Sequence, residues 1–271
     1  MVPQPEPIDT PQPALPPKRS PWPIARGTLI ALALVAGAVL ALAFAVSATL
    51  TRAAPSWWTH PTADATTSAR GTALENAAVS QLYLARDAAE RSPPNGVRYA
   101  SEPWSVALSE SDVNAWLATR LPRWLEGESG MPEWPDTMSQ LQVRLDRGAV
   151  RAGVRVETRS GPRFVTASFV PSVDDRGSLW CAASVVHVGR LPVPASWVIA
   201  GAADGEGVLP AELASHPNAE QFVDMARGRA PFAATPLLGL ENDRRVRLLD
   251  VQVRPGRLEL TMRTEIREPI H

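Results

Sequence analysis

The chain has 271 residues, 27 basic and 28 acidic, and a formal net charge of −1. This balance excludes the electropositive footprint of a nucleic-acid binder, so no nucleic-acid partner is expected. Cys181 is the only cysteine, which excludes an intramolecular disulfide and a cysteine-based zinc site within one chain.

Residues 1–26 are Pro-rich, beginning with Pro3, Pro5 and Pro7. Such a composition favours an extended, disordered cytoplasmic tail, and also suits a docking strip for a reader of Pro-rich motifs. Residues 27–50 follow without a single charged side chain. As a helix they span roughly 36 Å, enough to cross a hydrocarbon core of about 30 Å. Lys18, Arg19 and Arg26 precede this run and Arg52 alone follows closely. The positive-inside rule therefore predicts a single-pass protein of the inner (cytoplasmic) membrane, with its N-terminus cytoplasmic and its C-terminal bulk extracytoplasmic. The bilayer is then its first partner, with Trp57 and Trp58 as interfacial anchors. Val46-Ser47-Ala48 also suits a signal-peptidase site, the rival reading of the same run. Ala33, Gly37, Ala41 and Ala45 form a small-residue ladder through which two helices can approach as a homodimer.

Residues 51–70 read as a juxtamembrane linker and 71–271 as one extracytoplasmic domain. Thr72 and Glu75 have the spacing of a capping box, which predicts a helix over 72–91. Pro93-Pro94-Asn95-Gly96 ends that run. A short strand from Trp104 to Leu108 leads into the helix-start signal Ser109-Glu110-Ser111-Asp112. Val113, Trp116, Leu117 and Leu121 then supply an apolar stripe, and Pro122 distorts or ends the helix. Residues 126–137 read as a loop.

From Gln140 the period changes to two. Leu141, Val143 and Leu145 alternate with polar residues. After Arg147-Gly148, Val150, Ala152, Val154 and Val156 alternate with Arg151, Gly153, Arg155 and Glu157. This predicts an antiparallel hairpin with one dry and one wet face. Two further strands follow, Phe164–Val170 and Leu179–Val188, apolar on both faces and therefore expected to be central or covered. Pro192, Pro194 and the run from Trp197 suggest a break and a short helix. Another helix is expected near Asn218, with Phe222, Val223 and Met225 as its apolar side. A last hairpin turns at Arg254-Pro255-Gly256-Arg257, where Pro fixes the first central position and Gly supplies positive φ at the second. Leu258, Leu260 and Met262 are its expected inward face. The two hairpins share a cadence that suits either an internal duplication or common hairpin grammar.

Among His60, His187, His216 and His271 no pair has helical metal-ligand spacing. There is no nucleophile elbow, P-loop or dinucleotide-binding glycine motif, so no cofactor, no metal and no catalytic residue are expected. Asp174-Asp175 sits in a turn, where aspartates serve the backbone. The nine tryptophans are more unusual. Trp116 belongs with the helix core, whereas Trp124 and Trp134 lie in or beside a loop. Such aromatics suit a groove for an acyl chain, a glycan or a partner as well as structural packing.

Two segments, Leu108-Ser109-Glu110-Ser111-Asp112-Val113-Asn114-Ala115-Trp116-Leu117 and Val188-Gly189-Arg190-Leu191-Pro192-Val193-Pro194, together with the order of elements, resemble bacterial single-pass envelope proteins of the YpmS-like family. The resemblance implies a curved sheet wrapped around helices, a hydrophobic groove akin to tubular lipid-binding folds, and Asn114 as a characteristic residue. The helix at 72–91 and the Pro-rich tail fall outside it. The expected fold is α+β: an antiparallel curved sheet built from hairpins, packed with several helices and preceded by one transmembrane helix. The expected function is a non-enzymatic envelope protein binding lipid or an envelope partner at Asn114, Trp116, Trp124, Trp134 and Trp197. A structural subunit of an envelope complex and an envelope hydrolase with an unrecognised site are the alternatives.

Overall fold

A computed structural model describes residues 37–43, 45–59, 64–89, 97–127, 136–194 and 224–267. The chain divides into two units, Met1–Val46 and Ser47–His271. Within the first, residues 37–43 and 45–46 are helical, and Val39, Leu40, Leu42 and Val46 are 47–70% exposed. Among the described residues no helix is long and apolar enough to cross a membrane. The run 27–50 lies only partly within them. The 1–26 tail, Ala33, the 93–96 turn and the helix start near Asn218, with Phe222 and Val223, lie outside the described residues.

The second unit is α+β, mostly strands, and its antiparallel strands form two sheets rather than the single sheet expected. The first, a meander, runs β3-β4-β5-β6-β7: Met138–Asp146, Ala149–Thr158, Gly161–Val173, Leu179–Val188 and Leu191–Val193. In the second, β10 (Arg257–Arg267) is the hub. One edge of β10 pairs with β9 (Arg244–Arg254), which pairs with the short β8 (Leu237–Gly239). The other edge is shared end to end by β2 (Trp104–Ser109) and β1 (Val97–Ala100). A long hairpin with both flanks filled is a sheet that local periodicity reads only as a hairpin, because its partners come from far along the chain.

The two sheets meet through β9, which packs on β5, β3 and β4. Leu145, Val154 and Val156 of the meander and Val246 and Val253 of β9 are buried. The hairpin tips lock to each other. Gly148 N–H donates to Val253 O at 3.0 Å, and Gly256 N–H donates to Leu145 O at 2.8 Å. Both glycines hold positive φ, 73° and 71°, a conformation that costs other residues a Cβ clash. The 254–257 turn is thus as the sequence predicts. β5 and β6 are internal strands, yet Val170 and Val185 remain exposed. Pro192 sits in β7, which is an edge of the meander and so tolerates the missing N–H. The break predicted at Pro192 is therefore a strand up to Val193; the run from Trp197 lies outside the described residues.

The helices differ most from expectation at α1, which spans Ala65–Tyr83 and begins inside the segment read as a linker. Its N-cap is Asp64, whose Oδ1 accepts the Thr67 N–H at 2.7 Å. The pattern at Thr72 and Glu75 is no capping box, because the helix is already running there, and Gly71 is a crossing point. A Cβ on Gly71 would come within 2.5 Å of Thr119 Oγ1 and 3.0 Å of Ala115 O on α2 (Glu110–Thr119). Glu75 instead forms a two-pronged pair with Arg120, at 2.5 and 3.0 Å. α1 stops at Tyr83 rather than near 91, since Leu84 is extended and the Arg244 guanidinium takes up the carbonyls of Leu82, Tyr83 and Leu84. α2 starts at the predicted Ser109 cap, with Asp112 N–H on Ser109 Oγ. The short α3 (Leu121–Gly127) carries Pro122 in its first turn, where a missing N–H costs nothing. It replaces the first residues of the loop expected at 126–137.

Candidate functional site

Strand register assembles one face of the meander into two rows. Gln142, Gly153, Thr166, His187 and Pro192 stand opposite one another across β3 to β7. Two residues along each strand, on the same face, Arg144, Arg151, Ser168 and Val185 form the neighbouring row. The alternation marks this face as wet. In the first row that expectation fails: Gln142 is 2% exposed and Thr166 is buried.

The cover is residues 55–59, which are packed and not a free linker. Trp58 is buried and meets Phe164 edge-on, with ring centroids 5.0 Å apart. Gly153 makes room: a Cβ there would lie 2.9 Å from Trp58 and 3.1 Å from Trp57. The Gln142 amide fastens the end of the segment. Its Nε2 donates to Thr59 O at 2.6 Å, and its Oε1 accepts from Thr59 N–H and Oγ1 at 3.2 and 3.0 Å. Trp58 therefore belongs to the protein interior and is no interfacial anchor.

A second fastening holds the start of the segment. Gly189, in the β6–β7 turn, has φ +62°, and a Cβ there would collide with the carbonyls of Leu50 and Thr51. The next N–H, of Arg190, donates to Leu50 O at 2.9 Å, and the Arg190 side chain donates through Nε to Ala54 O at 3.0 Å. A guanidinium is well placed there, because residues 47–52 are helical and a helix C-terminus leaves carbonyls unpaired and carries partial negative charge.

Between cover and sheet lies a groove of about 520 Å³, lined by Pro55, Ser56, Trp57, Arg151, Thr166, Ser168, Val185, His187, Gly189 and Arg190. The volume falls within the usual range for small-ligand sites, roughly 300–1,000 Å³. Among the described residues its titratable lining is two guanidiniums and one imidazole, with no carboxylate. Asp146 reaches Arg151 from the β3 side, Nε to Oδ2 at 2.9 Å. Burial, and then the Arg151 charge, hold the His187 imidazole below its ordinary pKa. The arrangement suits recognition of an anion by directed N–H donors.

Of the residues expected from sequence, Asn114, Trp116 and Trp124 are described and do not line this groove. Asn114 is a staple: its Nδ2 donates to Val143 O and its Oδ1 accepts Val143 N–H, both at 2.8 Å. One turn earlier on α2, Glu110 accepts the Leu145 N–H at 2.8 Å. The two side chains satisfy the outer edge of β3 as a neighbouring strand would, and so block edge-to-edge association. Trp116 is half-buried on α2 near Glu75, and Trp124 on α3 is 45% exposed. Trp134 and Trp197, like His60, His216 and His271, lie outside the described residues. Asp174 is a turn hub, accepting from Arg176 N, Ser178 N and Trp180 Nε1. Cys181 is half-buried, and burial pushes its thiol pKa up. Among the described residues no three His, Cys, Asp or Glu side chains gather as a metal site. The signal for the real groove was Gly153 at a wet strand position, since an interior strand glycine marks a close approach by another segment. No protein family, curated protein or solved structure matches the chain.

Proposed function

We propose that this chain is a non-enzymatic, single-pass envelope protein whose extracytoplasmic α+β domain binds a lipid or an envelope partner in the groove beneath residues 55–57. The observation that carries the reading is the cover itself: Pro55, Ser56 and Trp57, which wall the groove, follow the apolar run 27–50 by only a few residues. A domain tethered there is held close to the lipid. The exposure of Val39, Leu40, Leu42 and Val46 on helical residues supports an apolar surrounding for that run, since such a surface is costly in water. The resemblance to YpmS-like envelope proteins belongs to the same proposal. Homodimerisation through Ala33, Gly37, Ala41 and Ala45 is an extension of it.

A C-terminally tagged full-length chain expressed in a bacterium tests this reading. The expected result is retention in carbonate-washed membranes and cleavage of the tag by protease added to spheroplasts. Native mass spectrometry of the detergent-solubilised protein then shows bound lipid or partner. Release by carbonate, a protected tag, or the absence of any bound molecule across repeated preparations refutes it. The assembly-subunit reading draws on one observation of its own: Leu238, in edge strand β8, and Phe232 are 50% and 53% exposed, large apolar side chains open to a partner.

A further inference from the structure

We propose that the groove binds a phosphate-bearing group, held between Arg151 and Arg190 with the His187 imidazole as a further donor. This rests on the reading of the domain as a ligand-binding module and names the chemistry of its ligand. Arg151 on β4 and His187 on β6 flank β5 in adjacent rows, so their backbones stand roughly 12 Å apart. Their side chains reach inward over Thr166 and Ser168 of the strand between. That span accommodates a tetrahedral anion. Arg190 closes the site from the β6–β7 turn, where its Nε bond to Ala54 O fixes its direction.

The charge count favours an anion over a neutral ligand. Among the described residues every titratable side chain lining the groove is a nitrogen base, and guanidinium forks match phosphate oxygens in pairs. The counter-charges are outside the lining: Asp146 on Arg151 at 2.9 Å, and Glu110 on Arg144 at 3.2 Å in the same row. Asp146 neutralises part of the Arg151 charge and fixes the guanidinium, leaving Arg190 as the cation without a carboxylate partner among the described ion pairs. Trp57 gives one apolar wall, which suits a phosphate ester better than the bare ion. Two sources present this chemistry, the head group of an anionic phospholipid and a free phosphorylated compound.

The full-length chain is placed in phosphatidylcholine nanodiscs and titrated with inorganic phosphate at constant ionic strength, with chloride as the control, by phosphorus NMR and calorimetry. The expected result is saturable phosphate binding that weakens at least tenfold in Arg151→Gln, the scale of one lost charge-assisted hydrogen bond. A smaller weakening is expected in His187→Gln. Circular dichroism melts confirm that each variant is folded. Should Arg151→Gln not fold, His187→Gln and Arg151→Lys carry the comparison. Repeating the titration in discs containing phosphatidylglycerol separates the sources: a head-group ligand competes and lowers the apparent phosphate affinity, while a soluble ligand leaves it unchanged. No saturable binding in phosphatidylcholine discs, or equal binding by folded variants, overturns the proposal. Membrane retention with no phosphate binding defeats this inference alone, whereas loss of retention defeats the reading beneath it.

Discussion

Glu265 offers the sharpest test of how the second sheet is held. Its side chain is fully buried, at 0% exposure, and takes hydrogen bonds from Arg245 at 2.9 Å, Arg247 at 2.8 Å and Arg263 at 2.9 Å. Register places Arg245 opposite Glu265 and Arg247 opposite Arg263. Without the carboxylate, two guanidiniums therefore face each other directly across β9 and β10, an unfavourable pairing. Removing one partner of a buried ion pair costs about 3–5 kcal/mol. The arginines are 16–24% exposed, so water screens part of the repulsion and about 3 kcal/mol is expected for Glu265→Gln. Burial pushes the carboxyl pKa up, but the hydrogen bonds of Arg247 and Arg263 and the charges of Arg247 and Arg245 outweigh it, holding the pKa below the ordinary value. A folded-state pKa below the unfolded one, about 4.3, gives stability that is complete above that pH and lost as pH falls through the folded value. The variant must then differ from wild type at pH 7 and converge with it in acid. Urea unfolding of the detergent-solubilised chain by tryptophan fluorescence reads this, with Trp104 as a local reporter because its Nε1 bonds Thr264 Oγ1 at 3.2 Å. A loss below about 1 kcal/mol at neutral pH, or parallel acid limbs for both proteins, would refute the argument.

Three further outcomes are expected. Asn114→Ala strips both bonds to Val143 and costs about 2–3 kcal/mol, with added self-association through the uncovered β3 edge, measurable by unfolding and light scattering. Gly189→Ala meets both positive φ and the Leu50 and Thr51 carbonyls, so at least about 2 kcal/mol is lost; hydrogen exchange shows the loss of protection spreading to Arg190 N–H. His187 titrates below its usual value of about 6.5 in NMR, because burial first and Arg151 second disfavour the cation. Its contribution to stability is whole above pH about 6.5 and falls as pH drops through the folded value, and Arg151→Gln moves the midpoint up without restoring the free value.

The periodic parts of the fold were legible. Alternation locates β3 and β4, an apolar run after a turn locates β6, the Pro255-Gly256 pair locates the last turn, and Ser109 locates the start of α2. What the sequence did not carry was partnership. β10 takes β1 and β2 on one edge and β9 on the other, and nothing local in a strand states which distant segment will pair with it. The start of α1 was misplaced for a related reason. Thr72 and Glu75 have the spacing of a capping box, yet Glu75 is placed to pair with Arg120 of the neighbouring helix region, and Gly71 before them is a crossing point against Thr119 and Ala115.

The groove shows the same limit acting on function. Arg151, His187 and Arg190 each have an ordinary local explanation, as a wet-face residue, a strand histidine and a turn residue. They become a site only through register across β4, β5 and β6 and through a cover that arrives from the other end of the chain. The tryptophans in that cover read from sequence as membrane-interface anchors, because their position after an apolar run satisfies that rule. Burial reassigns Trp58 to packing on Phe164 and over Gly153, which leaves Trp57 to wall the groove. Gly153 is therefore the residue on which the site turns. Any side chain there competes with Trp57 and Trp58 for the same space, and lifting them removes the wall that makes an open sheet face into a groove.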